Sequence, residues 1–416
     1  MKNEFKGGRR IDDWRPEDEQ FWENGGKQVA SRNLWISIPA LLLAFSVWVI
    51  WSVVVVRMPE VGFQFDKAQL SWLVALPALS GATMRIFYSF MVPIFGGRRW
   101  TAISTASLLI PTIWLGFAIQ NPDTTFTTFA IIALLCGLGG ANFSSSMSNI
   151  SFFYPKSKQG TALGLNAGLG NLGVSVSQFV IPAVIGFSLF GALAGEGQMT
   201  ESGKVLYLQN AAFVWVIPIA IMTVLAWFGM NDLSGAKASF KEQSVIFGRQ
   251  HTWIMCILYL ATFGSFIGFS AAFPMVIKQS FPDVDPLKVA FLGPLVGALF
   301  RPVGGWLADK IGGARVTFWV YVVMAISVVA VMFFLKMGNF IGYFVGFMLL
   351  FMTSGIGNAS TFRMIPVIFR TMHERYNSPD LVNQARKESA AVVGFAGGFA
   401  AYGGFFIPKM FGSGLG

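Results

Sequence analysis

Long apolar stretches separated by short polar segments fill the chain from residue 34 almost to its end. Apolar and polar residues do not alternate within them, as they would in the strands of a membrane barrel. Runs of about 20 apolar residues cross a bilayer as α-helices, so the pattern predicts an all-α membrane protein. The predicted spans are 34–56, 69–95, 101–120, 126–153, 161–190, 206–230, 253–277, 287–308, 316–335, 340–369 and 391–408.

The composition supports this class over a soluble enzyme. The chain is 54% hydrophobic and 12% charged, whereas soluble domains carry about 25% charged residues. The first 33 residues are polar and charged, so no cleavable signal is expected. Cys136 and Cys256 lie in apolar runs, and we expect neither a disulfide nor a metal site nor any other cofactor.

The basic residues indicate the orientation in the membrane. With a cytoplasmic N-terminus, 20 of the 30 Lys and Arg residues fall on the cytoplasmic side and 6 on the opposite side. Positive residues concentrate in cytoplasmic loops, so the N-terminus is predicted to be cytoplasmic. This distribution explains the net charge of +10 without a nucleic-acid partner.

The chain is predicted to consist of two related halves. A cytoplasmic N-terminal segment (1–33) precedes the first half (34–230), and a polar linker (231–252) leads to the second half (253–416). An offset of 216 residues relates GGANFS at 139–144 to GIGNAS at 355–360. The same offset relates Arg85, which is followed by a Gly-Gly pair, to Arg301. Two motifs at one offset indicate an internal repeat.

Arg85 and Arg301 lie inside predicted spans, near the depth of the bilayer midplane. Each is eleven residues from a predicted cytoplasmic Gly-Gly corner, which is about 16 Å along a helix in a hydrocarbon core of ~30 Å. None of the 20 Asp and Glu residues falls inside a predicted span. We therefore expect the two arginines to bind an anionic substrate rather than a structural carboxylate, and their planar groups favour a planar oxyanion.

Other titratable residues receive simpler interpretations. Arg363 lies near the cytoplasmic end of the tenth span, where it is expected to reach the interface or bond a carbonyl. His251 and His373 are assigned to cytoplasmic loops. Asn142, Asn171 and Asn358 are expected to face the transport path or to bond between helices.

The segment GGWLADKIGGAR (304–315) resembles the cytoplasmic signature of the major facilitator superfamily. The resemblance implies two pseudo-symmetric six-helix bundles related by an axis along the membrane normal. Asp309 and Lys310 would latch neighbouring helix ends as the halves rock. The first half has only GGRR (96–99) without the Asp, so a weaker latch is expected there. The superfamily has twelve spans, and the twelfth is expected to be missing from this chain.

Two longer segments narrow the resemblance to the nitrate/nitrite porters of that superfamily. CGLGGANFSSSMSNISFFYPKSKQGTALGLNAGLGNLGVSVSQ (136–178) resembles their first signature, and GFAGGFAAYGG (394–404) is similar to the second. The resemblance implies that Arg85 and Arg301 clamp nitrate or nitrite. The other expected substrate contacts are Phe45, Phe143, Tyr259, Phe263, Asn171 and Gly394. The glycines expected to permit gating are Gly139, Gly168, Gly170 and Gly403.

The expected function is transport of nitrate and nitrite by alternating access, most simply as nitrate/nitrite exchange. Two facing cations disfavour closure of an empty carrier, and the predicted spans contain no Asp, Glu or His to relay protons. Nitrate/proton symport is the alternative within transport, and an anion sensor that does not transport is the alternative from another class. An enzyme is not expected. The protein is expected to be a multi-pass monomer in the lipid bilayer of a bacterial inner membrane.

Overall fold

The computed structural model describes residues 9–200, 202–235, 244–376 and 381–414. Within them, eleven helices are long and apolar enough to cross a membrane. In chain order, spans one to eleven are Glu19–Arg57, Lys67–Phe95, Gly97–Ala118, Phe126–Phe153, Ser157–Val184, Asn210–Gly229, Gln250–Ser280, Pro286–Ile311, Gly313–Lys336, Phe340–Arg375 and Ala391–Phe411. The prediction of eleven spanning helices is confirmed for the described residues, and the absence of a twelfth span from this chain stays an expectation.

Several helices extend beyond the predicted spans on polar residues. Span one begins at Glu19, and a kink at Gly25, where φ is 143°, separates its polar start from the apolar part. Span ten continues to Arg375 instead of ending at 369. Hydropathy locates only the apolar part of a helix, whereas its backbone hydrogen bonding continues into the polar residues beyond it.

Glycines end the helices at both Gly-Gly corners. Gly96 terminates span two with φ 88°, and Gly312 terminates span eight with φ 92°. Side-chain-bearing residues rarely adopt positive φ, so glycine is favoured at each corner. The start of span two is fixed by a capping box, in which Asp66 and Gln69 bond each other's backbone N–H groups.

Spans seven and eleven are irregular where they meet. Span seven contains a π-helical turn at Leu260–Gly264, and span eleven is interrupted at Tyr402, between helices Leu381–Ala401 and Gly403–Gly414. A Cβ on Gly403 would collide with the backbone of Gly264. The two helices therefore approach at a distance that only glycine permits.

The two halves are joined toward the predicted outer side. Arg57 at the end of span one pairs with Asp285, 3.0 Å away, just before span eight. Ser71 Oγ donates to the Pro408 carbonyl, and Gln178 Nε2 donates to the Ser270 carbonyl. Lys278 also pairs with Glu60, and Ser175 Oγ donates to the Phe291 carbonyl. We call these five interactions the outer contacts.

The N-terminal segment packs against the predicted cytoplasmic side of the first half. The two-residue strand Arg10–Ile11 pairs in parallel with the strand Asp232–Leu233, which follows span six directly. Trp14 Nε1 donates to the Phe152 carbonyl at 3.1 Å. Part of the predicted linker, 236–243, lies outside the described residues, and the division into halves stays a prediction.

Candidate functional site

Arg85 is buried where span two meets spans four and eleven. Its side chain is 1% exposed. Nε donates to the Gly140 carbonyl at 2.9 Å, and Nη1 donates to the Gly397 carbonyl at 2.5 Å. Nη2 is buried and has no hydrogen-bond partner among the described residues. Two backbone carbonyls, one from each half, thus orient this guanidinium and leave one of its nitrogens available.

Aromatic rings surround the Arg85 guanidinium. Its central carbon lies 4.8 Å from the ring centre of Phe143, 5.2 Å from Trp48 and 5.3 Å from Phe263. The faces of these rings carry partial negative charge, and each such contact contributes about 0.5–2 kcal/mol. The rings stabilise the cation without neutralising it.

Arg301 lies on span eight and has fewer partners. It is 7% exposed, Nη2 donates to the Tyr259 hydroxyl at 3.2 Å, and its central carbon is 5.8 Å from the ring centre of Phe362. Nη1 is buried without a hydrogen-bond partner among the described residues. Arg301, like Arg85, therefore has an unsatisfied, positively charged donor.

A continuous stack of rings connects the two arginines. Phe143 stacks on Phe263 at 6.3 Å, Phe263 on Tyr259 at 5.2 Å, and Tyr259 on Phe362 at 4.1 Å between ring centres. Arg85 contacts the Phe143 and Phe263 end of this stack, and Arg301 contacts the Tyr259 and Phe362 end. Both guanidinium groups consequently flank one flat apolar wall.

Neither arginine forms an ion pair with a carboxylate among the described residues. Leaving a buried donor unsatisfied costs about 1–3 kcal/mol, and more when the group is charged. The arrangement can accept a small anion, because one N–H-bearing nitrogen from each half lacks a partner. The described residues contain no cluster of His, Cys, Asp and Glu that could hold a metal ion.

The remaining predicted substrate residues lie in different surroundings. Phe45 is buried and packs edge to face against Phe143, with 6.1 Å between the ring centres. Asn171 is 1% exposed, and its Oδ1 has no hydrogen-bond partner among the described residues. A Cβ on Gly394 would have no neighbour within 4 Å. The Gly397 carbonyl, rather than Gly394, bonds Arg85.

The predicted gating glycines fall into two groups. A Cβ on Gly139 would collide with the Ala44 carbonyl in span one, and one on Gly170 would lie 2.7 Å from Leu41. Gly403 meets Gly264, as described above. By contrast, a Cβ on Gly168 would have no neighbour within 4 Å. Close helix packing thus explains glycine at three of the four positions.

The polar residues at the second Gly-Gly corner agree with one of the two interpretations of Arg363. Its side chain is exposed, as expected for a residue that reaches the interface, and its Nε donates to Asp309 Oδ1 at 2.5 Å; both side chains are more than half exposed. Lys310 Nζ lies 4.1 Å from the ring centre of Trp306. Asp309 therefore links span eight to span ten, as its predicted role as a latch between helix ends requires.

The loop assignments of His251 and His373 are wrong. His251 lies in the helix Gln250–Tyr259. His373 lies in the helix Phe340–Arg375 and is 1% exposed, with Nε2 at 3.2 Å from Glu388 Oε1. Arg249 donates to both oxygens of Glu388, at 3.0 and 2.9 Å, and this hydrogen bonding raises the pKa of Arg249. Spans seven, ten and eleven thus meet at a buried titratable cluster.

Sequence reasoning missed Trp48, Phe362 and the carbonyls of Gly140 and Gly397. Trp48 follows Phe45 by three positions and so lies on the same face of span one, which was an available signal. Backbone acceptors leave no mark in residue identity. Phe362 adjoins Arg363, but nothing local to the sequence indicates that its ring reaches Tyr259.

Comparisons with known proteins agree with this architecture. Residues 36–410 match the family model of the Major Facilitator Superfamily. A solved D-xylose-proton symporter superposes with a TM-score of 0.67 at 16% identity, covering 91% of this chain and 89% of that chain. The xylose transporter XylE of E. coli, in a partially occluded inward open conformation, gives 0.62 at 15% identity, covering 93% and 97%. At these identities the structures show the fold alone.

The sequence relatives are more specific. The chain is 52% identical to the nitrate/nitrite transporter NarU of Escherichia coli (strain K12), over 100% of this chain and 92% of the relative. It is 42% identical to the probable nitrate/nitrite antiporter NarK2 of Thermus thermophilus, over 97% and 89%. The chain therefore belongs to the Major Facilitator Superfamily and, within it, to the nitrate/nitrite porters.

Proposed function

We propose that this protein transports nitrate and nitrite across the bacterial inner membrane, with the anion held between Arg85 and Arg301. The carrying observation is that Arg85 Nη2 and Arg301 Nη1 are both buried without a hydrogen-bond partner among the described residues. The names of the relatives, which are nitrate/nitrite transporters and a probable antiporter, support the choice of anion.

The chemistry of the site suits a small planar oxyanion. Guanidinium groups bind such anions through parallel N–H···O bonds of about 2.7–2.9 Å. The Tyr259 and Phe263 rings are nearly parallel, with 4° between their planes, and offer a flat surface for a flat ligand. Arg85, Arg301 and the Tyr259 hydroxyl supply few polar groups, so a sugar or peptide would leave most of its own hydrogen bonds unmade.

Alternating access follows from how the halves meet. The outer contacts close the predicted outer side, and we propose that this conformation opens toward the cytoplasm, where the N-terminus lies. Opening outward then requires breaking the Arg57–Asp285 pair and the other outer contacts. The superfamily moves its two bundles largely as rigid bodies around a midplane site.

Exchange is the proposed mode. Without an anion, Arg85 and Arg301 repel each other in a low-dielectric interior, which disfavours the closed intermediate through which an empty carrier must pass. A bound nitrate or nitrite offsets this repulsion and allows the halves to rock. Each passage therefore carries an anion, and net movement results from nitrate entering as nitrite leaves.

Nitrate/proton symport is the second candidate, and the His373–Glu388 pair favours it. The pair is buried, so the second half contains titratable groups that hydropathy alone had placed outside the spans. It lies at the cytoplasmic end of spans ten and eleven, nine residues or more from Gly397 along span eleven. A carboxylate and an imidazole at this position are able to bind a proton from the cytoplasm.

Proteoliposomes distinguish the two modes. Vesicles containing the protein are loaded with nitrite or with an inert anion, and nitrate uptake is measured with and without a pH gradient. Exchange predicts uptake that needs internal nitrite or nitrate and is insensitive to the gradient. Uptake that follows the proton gradient into vesicles without internal substrate would establish symport instead.

A further inference from the structure

The first Gly-Gly corner has a carboxylate that its own segment lacks. Asp232, which follows span six, lies against the turn between spans two and three, and a Cβ on Gly96 would collide with its Oδ1. Asp232 is 8% exposed. The expectation of a weaker latch in the first half was based on the missing signature Asp, but here the carboxylate comes from a position 136 residues further along the chain.

Asp232 binds both the backbone and a side chain of the corner. Oδ1 accepts from the backbone N–H groups of Arg98, at 2.9 Å, and Arg99, at 3.3 Å. Oδ2 accepts from Arg98 Nε at 3.0 Å. A carboxylate that accepts the free N–H groups at the start of a helix interacts favourably with the helix dipole. Asp232 is thus bound to the start of span three in three ways.

The strand that carries Asp232 is itself held in place. The Asp232 backbone N–H donates to the Arg9 carbonyl at 2.7 Å, and the Ser234 N–H donates to the Ile11 carbonyl at 3.0 Å. Arg98 in turn donates to the Trp227 carbonyl at 2.9 Å, and its central carbon lies 4.9 Å from the Trp227 ring centre. The N-terminal segment, the end of span six and the corner form one connected unit.

We infer that Asp232 is a positioning residue for anion binding. It fixes the corner at which span two ends, and span two carries Arg85 eleven residues earlier. Arg85 must reach the Gly397 carbonyl in the other half while keeping Nη2 available, and movement at the cytoplasmic end of its helix shifts that geometry. The inference rests on the proposed function, because nitrate is the anion whose binding Asp232 serves.

The second corner provides the contrast that makes the inference specific. There Asp309 has one ion-pair partner among the described residues, Arg363, and its side chain is 54% exposed. An exposed pair contributes little to stability and separates at small cost. Asp232 is enclosed and bound to backbone, which favours one arrangement of the corner.

The test uses the full-length protein with Asp232→Asn, Arg98→Gln and, as an inert control, the exposed loop change Asp123→Asn. Hydrogen exchange of the Arg98 and Arg99 amides reports on the corner without any substrate. Nitrate KM and maximal rate are measured in nitrite-loaded proteoliposomes, and thermal unfolding is recorded for each variant. Asp232→Asn is expected to speed amide exchange and to raise the nitrate KM about 3- to 30-fold, with Arg98→Gln raising it less and Asp123→Asn leaving it unchanged.

The outcomes separate positioning from simple stabilisation. If Asp232→Asn lowers the unfolding temperature or the maximal rate but leaves the KM unchanged, Asp232 only stabilises the fold and the inference is overturned. If Asp232→Asn does not fold, Arg98→Gln decides, because it keeps the backbone bonds: a raised KM supports positioning and an unchanged KM overturns it. If the wild type takes up no nitrate, the proposed function has failed, while amide exchange still reports whether Asp232 holds the corner.

Discussion

Arg85 and Arg301 occupy equivalent positions in the two halves, yet their surroundings differ. Arg85 donates to two backbone carbonyls and lies among three aromatic rings. Arg301 donates to one hydroxyl and lies near one ring. Backbone carbonyls of packed helices move little, whereas a tyrosine side chain can rotate. In this conformation Arg85 is thus the fixed arginine, and Arg301 is the one that can adjust.

This difference fits a carrier that must bind an anion in more than one conformation. A fixed group sets the position of the substrate, and an adjustable group allows contact to persist as the halves rock. Arg85 also contacts the second half, because its Nη1 donates to the Gly397 carbonyl of span eleven. Arg85 is consequently sensitive to the relative position of the halves.

The largest effect is expected for Arg85→Lys. Lysine keeps the charge but cannot bond the two carbonyls and the anion in the planar geometry of guanidinium. Nitrate exchange in proteoliposomes should fall about a hundredfold, or roughly 2.7 kcal/mol. The exposed Arg315→Lys change, near the start of span nine, serves as the control. Normal nitrate exchange by Arg85→Lys would exclude recognition of nitrate by the planar guanidinium group of Arg85.

A smaller loss, about tenfold or 1.4 kcal/mol, is expected for Arg301→Lys. This side chain has one hydrogen-bond partner in the described structure, so lysine disturbs fewer existing contacts. The same uptake assay measures both arginine variants. A loss larger than that of Arg85→Lys would reverse the assignment of fixed and adjustable groups.

Removing the hydroxyl that orients Arg301 should have a still smaller effect. Tyr259→Phe keeps the ring stack but deletes one hydrogen bond, worth about 1 kcal/mol, so the nitrate KM should rise about fivefold. Tyr321→Phe is the matched control, because that hydroxyl donates to the Leu258 carbonyl at 2.6 Å rather than bonding an arginine. Equal effects in the two variants would argue against a role for Tyr259 in orienting Arg301.

Arg57→Gln tests the relation between the halves on the outer side. The pair with Asp285 is partly exposed, so its loss should shift the balance of conformations by about 1 kcal/mol or less. Spin labels at Gln64 and Asp283, both exposed in outer loops, should then show more of a longer distance. The control is Arg370→Gln, which breaks an exposed pair with Glu374 on the predicted cytoplasmic side. An unchanged distance distribution in Arg57→Gln would show that the pair does not hold the outer side closed.

The smallest effect is expected for Gly397→Ser. A Cβ there would lie 3.5 Å from Phe143 and 3.7 Å from Arg85 Nη1, so a serine fits and places a hydroxyl beside the fixed arginine. The nitrate KM should fall about two- to threefold, consistent with one added hydrogen bond of about 0.5 kcal/mol. Gly186→Ser, in open space after span five, is the control. A raised KM would mean that the Gly397 backbone shifts when a side chain is added.

The sequence predicted the spans and the two arginines because both signals are local. Apolar length reveals a spanning helix, and Arg85 and Arg301 stand out because each is a charge in an apolar run. Arg85 precedes Gly96, and Arg301 precedes Gly312, by the same eleven residues, and this spacing indicated the internal repeat. These features need no knowledge of which helix packs against which.

Contacts between distant segments could not be predicted in this way. Asp232 reaches Arg98 across 134 positions, and Glu388 reaches Arg249 across 139. Such pairs form because tertiary packing brings distant segments of the chain together. Before the packing is known, many carboxylates near helix ends are equally suitable partners for each arginine. His373 was misplaced for a related reason, since its helix continues beyond the apolar residues that marked the span.

If one anion is bound by both arginines, a structure determined with nitrate present should show it. We expect a planar ligand between the halves, with oxygens about 2.7–2.9 Å from Arg85 Nη2 and from Arg301 Nη1, lying against the Tyr259 and Phe263 rings. Nitrate bound elsewhere, or bound by only one of the two arginines, would contradict it.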